Sequence, residues 1–114
     1  MAQDPSGHPA ETLEAYEELV ATIPGLERKG KKMPYTSLNG HMFSFITKEG
    51  KLALRLPTEA REAFLEHYES ELCVQYGKVM KEYVLVPDEL LKDTAALVQH
   101  FAVSHVYVSS LKPK

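Results

Sequence analysis

The sequence contains very little cysteine and no long apolar run. Its single cysteine, Cys73, cannot form an intramolecular disulfide, which excludes a secreted scaffold held together by disulfides. Residues 1–5 lack the cationic and apolar run of a signal peptide. No stretch approaches the roughly 18 to 20 apolar residues that a membrane-spanning helix needs. The sequence therefore predicts a soluble protein of the cytoplasm with no membrane partner.

Excess positive charge is also lacking. The net charge is −3 at pH 7, whereas broad nucleic-acid binding usually requires a surplus of Lys and Arg. The motifs Gly-x-x-x-x-Gly-Lys-Ser/Thr, Gly-x-Ser-x-Gly, His-Glu-x-x-His and Cys-x-x-Cys do not occur. Phosphate loops, nucleophile elbows and common metal sites are therefore not predicted. We expect no enzymatic activity, no nucleic-acid partner, no cofactor and no bound metal.

The composition that is present is that of an ordinary globular domain. Apolar residues make up 44% and charged residues 25%, which is enough apolar material to build a core without disulfides. A length of 114 residues is close to the commonest domain size. We expect a flexible tail over residues 1–8 and a single domain over residues 9–114.

Periodic apolar residues and turn signals predict the element order α-β-β-β-α-β-β-α. The first helix begins near Pro9 and ends at Pro24-Gly25. Asn39-Gly40 favours a tight hairpin turn, because both residues tolerate positive φ angles. The predicted strands cover residues 35–38, 42–47, 52–56, 72–76 and 79–86. Antiparallel hairpins with helices on one face make a two-layer α+β domain.

The core is predicted from the phases of these elements. The second helix begins at Pro57-Thr58, where the Thr58 side chain can cap free backbone N–H groups. Alternation places Leu54 on the inner face of the third strand and Ala53 on the outer face. We expect one core between the sheet and the helices to contain Leu54, Phe64 and Leu85.

The C-terminal stretch admits two interpretations. Leu97, Phe101 and Val108 follow one helical stripe, whereas residues 103–108 are rich in the β-branched residues typical of strands. The periodic set is longer than a typical strand, which favours a helix. Either Asp93 or Thr94 can cap it.

This last helix is apolar on more than one side. Val103, Val106 and Tyr107 lie away from its main stripe. A helix that is apolar nearly all round is either covered on both flanks or exposes a face to a partner. The partner would be an unidentified protein or a second copy of the chain in a homodimer.

Two segments carry a pattern that is known from a protein family. Residues 39–46 read Asn-Gly-His-Met-Phe-Ser-Phe-Ile, and residues 48–56 read Lys-Glu-Gly-Lys-Leu-Ala-Leu-Arg-Leu. Together with Phe64, the run Tyr-Val-Leu-Val-Pro at 83–87 and the final helix, the pattern resembles the N-terminal domain of the competence regulator TfoX (Sxy). The resemblance covers about residues 28–111. At residues 33–36 the chain has Met-Pro-Tyr-Thr where the family has Met-Phe-Gly-Gly, and we expect no second TfoX domain in it.

The resemblance carries expectations about fold and function. It implies a bacterial, non-catalytic regulatory module whose fold is similar to that of type III secretion chaperones. It supplies no catalytic residue.

Residues 29–41 concentrate basic and polar side chains beside a predicted sheet edge. Ammonium groups attract phosphate or carboxylate, and hydroxyl and amide groups can orient such a ligand. The segment therefore predicts an anion or peptide site, with a solvated loop as the alternative. The candidate ligand-binding residues are Lys29, Lys31, Lys32, Tyr35, Ser37, Asn39 and His41.

Two other interpretations of the same region stay open. Arg28 and the three lysines near Tyr35 also suit a nucleic-acid backbone. Ser37, His41 and Glu82 would supply a nucleophile, a base and an orienting carboxylate if the fold joined them. The leading interpretation is a non-catalytic regulatory or protein-interaction module. The alternative is a small-ligand or anion-binding protein that uses the 29–41 segment.

Overall fold

One antiparallel sheet and four helices make up the part of the protein that its computed structural model describes. The structure describes residues 10–30, 34–47, 50–75 and 77–113, so the predicted tail at 1–8 and the lysines at 31 and 32 lie outside the described residues. The elements are α1 (Ala10–Val20), β1 (Tyr35–Leu38), β2 (His41–Ile46), β3 (Leu52–Arg55), α2 (Thr58–His67), β4 (Leu72–Gln75), β5 (Lys78–Val86), α3 (Asp88–Leu91) and α4 (Thr94–Ser109). The strand order is β1-β2-β3-β5-β4, and every neighbouring pair is antiparallel. The predicted α+β class is confirmed.

The β1–β2 hairpin turns at Asn39 and Gly40, as predicted. Their φ angles are 56° and 81°, the left-handed values that a two-residue turn of this kind requires. Few residues other than Asn and Gly adopt such angles without steric cost. The turn therefore sets the register of β1 against β2.

Two apolar clusters lie on opposite faces of the sheet. Leu54 and Phe64 are buried in the larger cluster, to which all four helices contribute. Leu52 and Leu56 join them, so the predicted inner face of β3 is confirmed. The smaller cluster has Phe45, Ala53 and Cys73 at its centre and, among the described residues, no contribution from a helix.

The prediction for Leu85 is wrong. Leu85 pairs with Ala53, which in turn pairs with Phe45, so it lies half-buried in the smaller cluster on the outer face. Its neighbours Val84 and Val86 take the positions that face the helices. A run of three apolar residues in a strand does not reveal by itself which face is inward.

An irregularity in β2 changes which side chains face the helices. Thr36 pairs with Ser44 and Ser37 with Met42, which leaves Phe43 as an extra residue in β2. The resulting bulge lets two consecutive side chains point to the helical layer. The Phe43 ring packs 5.5 Å from that of Phe101, and the Ser44 hydroxyl lies 2.7 Å from that of Tyr16.

Helix ends differ in part from the sequence-based expectations. Helix α1 ends at Val20, before the predicted Pro24-Gly25, and Ile23 packs against the core from the following turn. Residue 57 is the N-cap of α2, and no side chain caps this end, so the predicted capping role of Thr58 is wrong. The Asp93 carboxylate accepts a hydrogen bond from the Ala96 N–H (3.2 Å), which confirms it as the cap of α4.

The C-terminal stretch is a helix of 16 residues despite its valines, which confirms the favoured interpretation. Its buried side carries Leu97, Phe101, Ser104 and Val108. Burial of this side against the sheet outweighs the weak helix preference of the β-branched residues. Among the described residues, no helix has both the length and the apolar character needed to cross a membrane.

Candidate functional site

The side of α4 turned away from the core is exposed and apolar in its middle. The Val106 side chain is 64% exposed and that of Val103 is 41% exposed. Large apolar side chains are usually buried, so two exposed ones on the same helix mark a candidate interaction surface. We call this surface the α4 outer face and define it by its exposed residues, Ala95, Gln99, Ala102, Val103, Val106, Ser109 and Ser110.

The α4 outer face carries no formal charge. Helix α4 contains no Asp, Glu, Lys or Arg in its 16 residues. Five exposed residues of α4 are separated alternately by four and three positions, as are the residues at the contact between two packed helices. They are Ala95, Gln99, Ala102, Val106 and Ser109. A shallow groove of about 370 Å³ runs beside it, lined by Pro57, Ala102, Val103, Val106, Tyr107 and Ser110.

A polar network anchors the rim of this groove. The Arg55 guanidinium donates to the Glu82 carboxylate (2.9 Å) and lies 5.5 Å from the centre of the Tyr107 ring. The Tyr107 hydroxyl donates to the other oxygen of Glu82. Burial alone would raise the pKa of Glu82, but the hydrogen bonds from Tyr107 and Arg55 outweigh it and hold the pKa below its usual value. These contacts fix the position of the Tyr107 ring. The buried Arg55 Nε has no hydrogen-bond partner within the described residues.

A second site lies where the loop after α1 meets β1. We call it the loop cavity, with a volume of about 340 Å³ and walls formed by Ile23, Pro24, Gly25, Leu26, Glu27, Lys29, Ser37, Leu38 and His105. The Lys29 backbone exchanges two hydrogen bonds with Tyr35 (2.8 and 2.9 Å), which ties the loop to the sheet edge. The His105 ring packs edge-on against Phe43, with 5.7 Å between the ring centres. Polar and apolar groups therefore converge on one small cavity.

The structure brings together only part of the predicted 29–41 site. Lys29 and Ser37 both line the loop cavity. Tyr35 packs instead with the smaller apolar cluster, and Asn39 is exposed in the hairpin turn. His41 Nε2 lies 2.7 Å from the backbone oxygen of Lys112. The predicted members Lys31 and Lys32 lie outside the described residues.

Sequence reasoning missed two residues of the loop cavity, Glu27 and His105. Glu27 lies just outside the predicted segment, and it could have been found from its place in the same charged run as Lys29. His105 comes from α4, more than sixty residues away, and no local pattern links it to the loop. Only the packing of α4 against the β1–β2 hairpin brings it there.

The other predicted arrangements are not assembled by the described residues. No hydrogen bond joins any two of Ser37, His41 and Glu82 in this part of the chain, since Glu82 is held by Arg55 and Tyr107. Arg28 forms an ion pair with Glu17 (2.7 Å) on α1 rather than adding to a basic surface. Within the same ranges, no group of three or more His, Cys, Asp or Glu is placed to hold a metal ion.

A third feature, a groove of about 440 Å³ between α2 and α4, contains a cluster of rings. Tyr68 and His100 are joined at 3.1 Å between the hydroxyl and Nε2, and the His100 ring stands edge-on to Phe64 at 5.2 Å. Burial lowers the pKa of His100, and the nearby His67 lowers it further. Both effects favour the neutral form of His100, which belongs to the packing between the two helices.

Comparison with known proteins identifies no relative: no protein-family model, no curated protein and no solved structure matches this chain. The resemblance to the TfoX N-terminal domain therefore stays a prediction. The fold class rests on the structure alone.

Proposed function

We propose that this chain is a non-catalytic protein-interaction module that associates with a second copy of itself through the α4 outer face. The observation that carries the proposal is the exposure of Val106 (64%) and Val103 (41%) on a helix with no charged residue. Covering apolar surface of this kind is the main favourable term in protein association. The regulatory role implied by the TfoX resemblance is consistent with such a module and is part of the same proposal.

The absence of charged residues on the α4 outer face permits a second copy as the occupant. The chain has a net charge of −3, so two copies repel each other over most orientations. The α4 outer face carries no Asp, Glu, Lys or Arg, so two copies that meet there bring no like charges of this face together. A two-fold axis through this face would bring the same residues together from both copies, as in most homodimers.

The spacing of the exposed residues fits the same occupant. A helix of 16 residues is about 24 Å long, and its outer residues follow the alternating spacing of helix–helix seams. The neighbouring groove at Pro57 and Tyr107 extends this surface beside the helix. The polar network of Arg55, Glu82 and Tyr107 would then form part of the polar rim.

We expect Val106→Lys to dissociate the dimer. The substitution places an ammonium group from each copy in an apolar interface, where burial of a charge costs several kcal/mol. The dissociation constant should rise by about a hundredfold or more, since about 1.4 kcal/mol corresponds to a factor of ten. Light scattering over a concentration series should give twice the 12.8 kDa chain mass for the wild type and a single chain mass for the variant.

Val79→Lys is the matched control for this experiment. Val79 is 55% exposed on β5, so the control adds the same charge at a similarly exposed valine away from α4. The control should retain the dimer mass, and circular dichroism should show both variants folded. A wild type that is monomeric at all concentrations, or a dimer that survives Val106→Lys, would rule out association through this face.

A second candidate function is the binding of a small anion in the loop cavity. The observation that favours it is that Lys29 and Ser37, two of the predicted site residues, line the cavity together with His105. An ammonium group, a hydroxyl and an imidazole can hold a carboxylate or phosphate by charge and hydrogen bonds. Lys29 is exposed, so this attraction should weaken as salt rises and the Debye length falls below about 8 Å.

We expect acetate and inorganic phosphate to shift the backbone amide signals of the loop cavity in an NMR titration. Lys29→Gln should remove the response while changing the free energy of unfolding by no more than about 0.5 kcal/mol, the usual range for a surface substitution. Lys78→Gln, at an exposed lysine on β5, should leave the response intact. Shifts spread evenly over the protein, or none at all, would exclude an anion site here.

A further inference from the structure

We propose that the loop cavity binds a small zwitterion with an apolar side chain, that is, a free apolar amino acid. This inference rests on the second candidate function above and narrows its ligand class. It follows from the two opposite charges in the cavity wall, from its apolar side and from its size.

Side chains of opposite charge face the cavity because successive side chains of this segment point in alternate directions. Glu27 and Lys29 both line the cavity, two residues apart in a segment without helical structure. Arg28, between them, is directed elsewhere: its guanidinium donates to Glu17 (2.7 Å) and to the backbone oxygen of Gly30 (3.2 Å). In extended backbone, successive side chains point to opposite sides, which leaves residues 27 and 29 on the same side.

Neither Glu27 nor Lys29 forms an ion pair with another side chain of the described ranges. The ion pairs found there are Arg28–Glu17, Lys51–Asp88 and Arg55–Glu82, and none involves Glu27 or Lys29. A simple anion would meet Lys29 but also the carboxylate of Glu27, which repels it. A ligand with an ammonium group and a carboxylate satisfies both residues, so charge complementarity favours a zwitterion over an anion.

The remaining walls fit the rest of an amino acid. Ile23, Leu26 and Leu38 are half-buried cavity residues that pack against the main core, and they offer an apolar side to the ligand. Ser37 and His105 add hydrogen-bonding groups. The volume of about 340 Å³ is at the small end of the 300 to 1,000 Å³ typical of ligand pockets, which suits a single amino acid better than a nucleotide.

The experiment is an NMR titration of the full chain with three probes. Leucine carries both charges, 4-methylpentanoate lacks the ammonium group, and 3-methylbutylamine lacks the carboxylate. We expect leucine to shift the backbone amides of residues 23, 25–29, 37, 38 and 105, and to bind at least about tenfold more tightly than either analogue. Alanine should bind more weakly than leucine because it covers less of the apolar wall.

Two variants and a control separate the contributions. Glu27→Gln should make leucine and 4-methylpentanoate equal in affinity. Lys29→Gln should abolish binding of 4-methylpentanoate and lower the affinity for leucine to that for 3-methylbutylamine. Lys78→Gln should bind as the wild type does. If the wild type bound leucine and 4-methylpentanoate with equal affinity, the proposal of a zwitterionic ligand would be wrong, whereas the anion site would still be supported. No localised shift with any probe or with acetate would overturn both.

Discussion

Leu54→Ala should lower the free energy of unfolding by about 2 to 5 kcal/mol, the usual cost of truncating a fully buried leucine. Leu54 is completely buried in the larger cluster, on the central strand of the sheet. Removing its branched end takes apolar contacts from the helix-covered face and leaves a cavity that rigid neighbours fill only in part. Chemical denaturation of both proteins measures the difference.

Leu85→Ala is the matched comparison, because it makes the same change on the other face. Leu85 is only half-buried, in the cluster that has no helix above it in the described residues. Its truncation should cost roughly 1 to 2 kcal/mol, in proportion to the smaller apolar area removed. A loss below about 0.5 kcal/mol for Leu54→Ala, or a larger loss for Leu85→Ala, would contradict the assignment of the two faces.

Alkaline pH should weaken the fold through Tyr16. Its phenol is completely buried between α1 and the sheet, where its hydroxyl lies 2.7 Å from that of Ser44. Burial raises the pKa of Tyr16 to about 12, since a phenolate cannot be hydrated there. The stabilisation is present in full below pH 10, the unfolded-state pKa, and is lost as the pH rises from 10 through 12. By pH 12 the loss should reach about 2 kcal/mol.

Tyr16→Phe isolates this contribution. The variant loses one buried hydrogen bond, so it should be about 1 kcal/mol less stable at pH 7, while Ser44 keeps its hydrogen bond with Thr36. Between pH 9 and 12 it should lose about 2 kcal/mol less stability than the wild type. Burial also raises the pKa of Tyr83 to about 12. Tyr83 titrates in both proteins, so its contribution to the pH dependence cancels in the comparison. Identical pH dependence in denaturation curves of the two proteins would show that Tyr16 is not the group responsible.

The parts of the fold that local chemistry controls could be predicted from the sequence. Asn39-Gly40 turns the first hairpin because its positive φ angles are a property of those two residues. The helical spacing of Leu97, Phe101 and Val108 outweighed the valines between them, and it correctly predicted α4. Alternation placed Leu54 and Ala53 on opposite faces correctly, since strand periodicity is also local.

The candidate sites were predictable only in part. The surplus apolar residues of α4 are visible in the sequence, but their exposure depends on which side of the helix meets the sheet. The 29–41 segment predicted Lys29 and Ser37 as site residues, yet it could not show that Tyr35 packs on the other face of the sheet. His105 joins the loop cavity through a helix near the other end of the chain.

By itself the sequence determined the order of helices and strands except for the short helix α3, the position of the first hairpin turn and the absence of an intramolecular disulfide. These follow from residue types and short-range periodicity. Tertiary structure decided that Leu85 faces outward, that the β2 bulge turns both Phe43 and Ser44 towards the helices, and that Glu27, Lys29 and His105 share a cavity. The physical reason is that strand register and helix docking minimise the free energy of the whole core, through contacts between residues far apart in the chain.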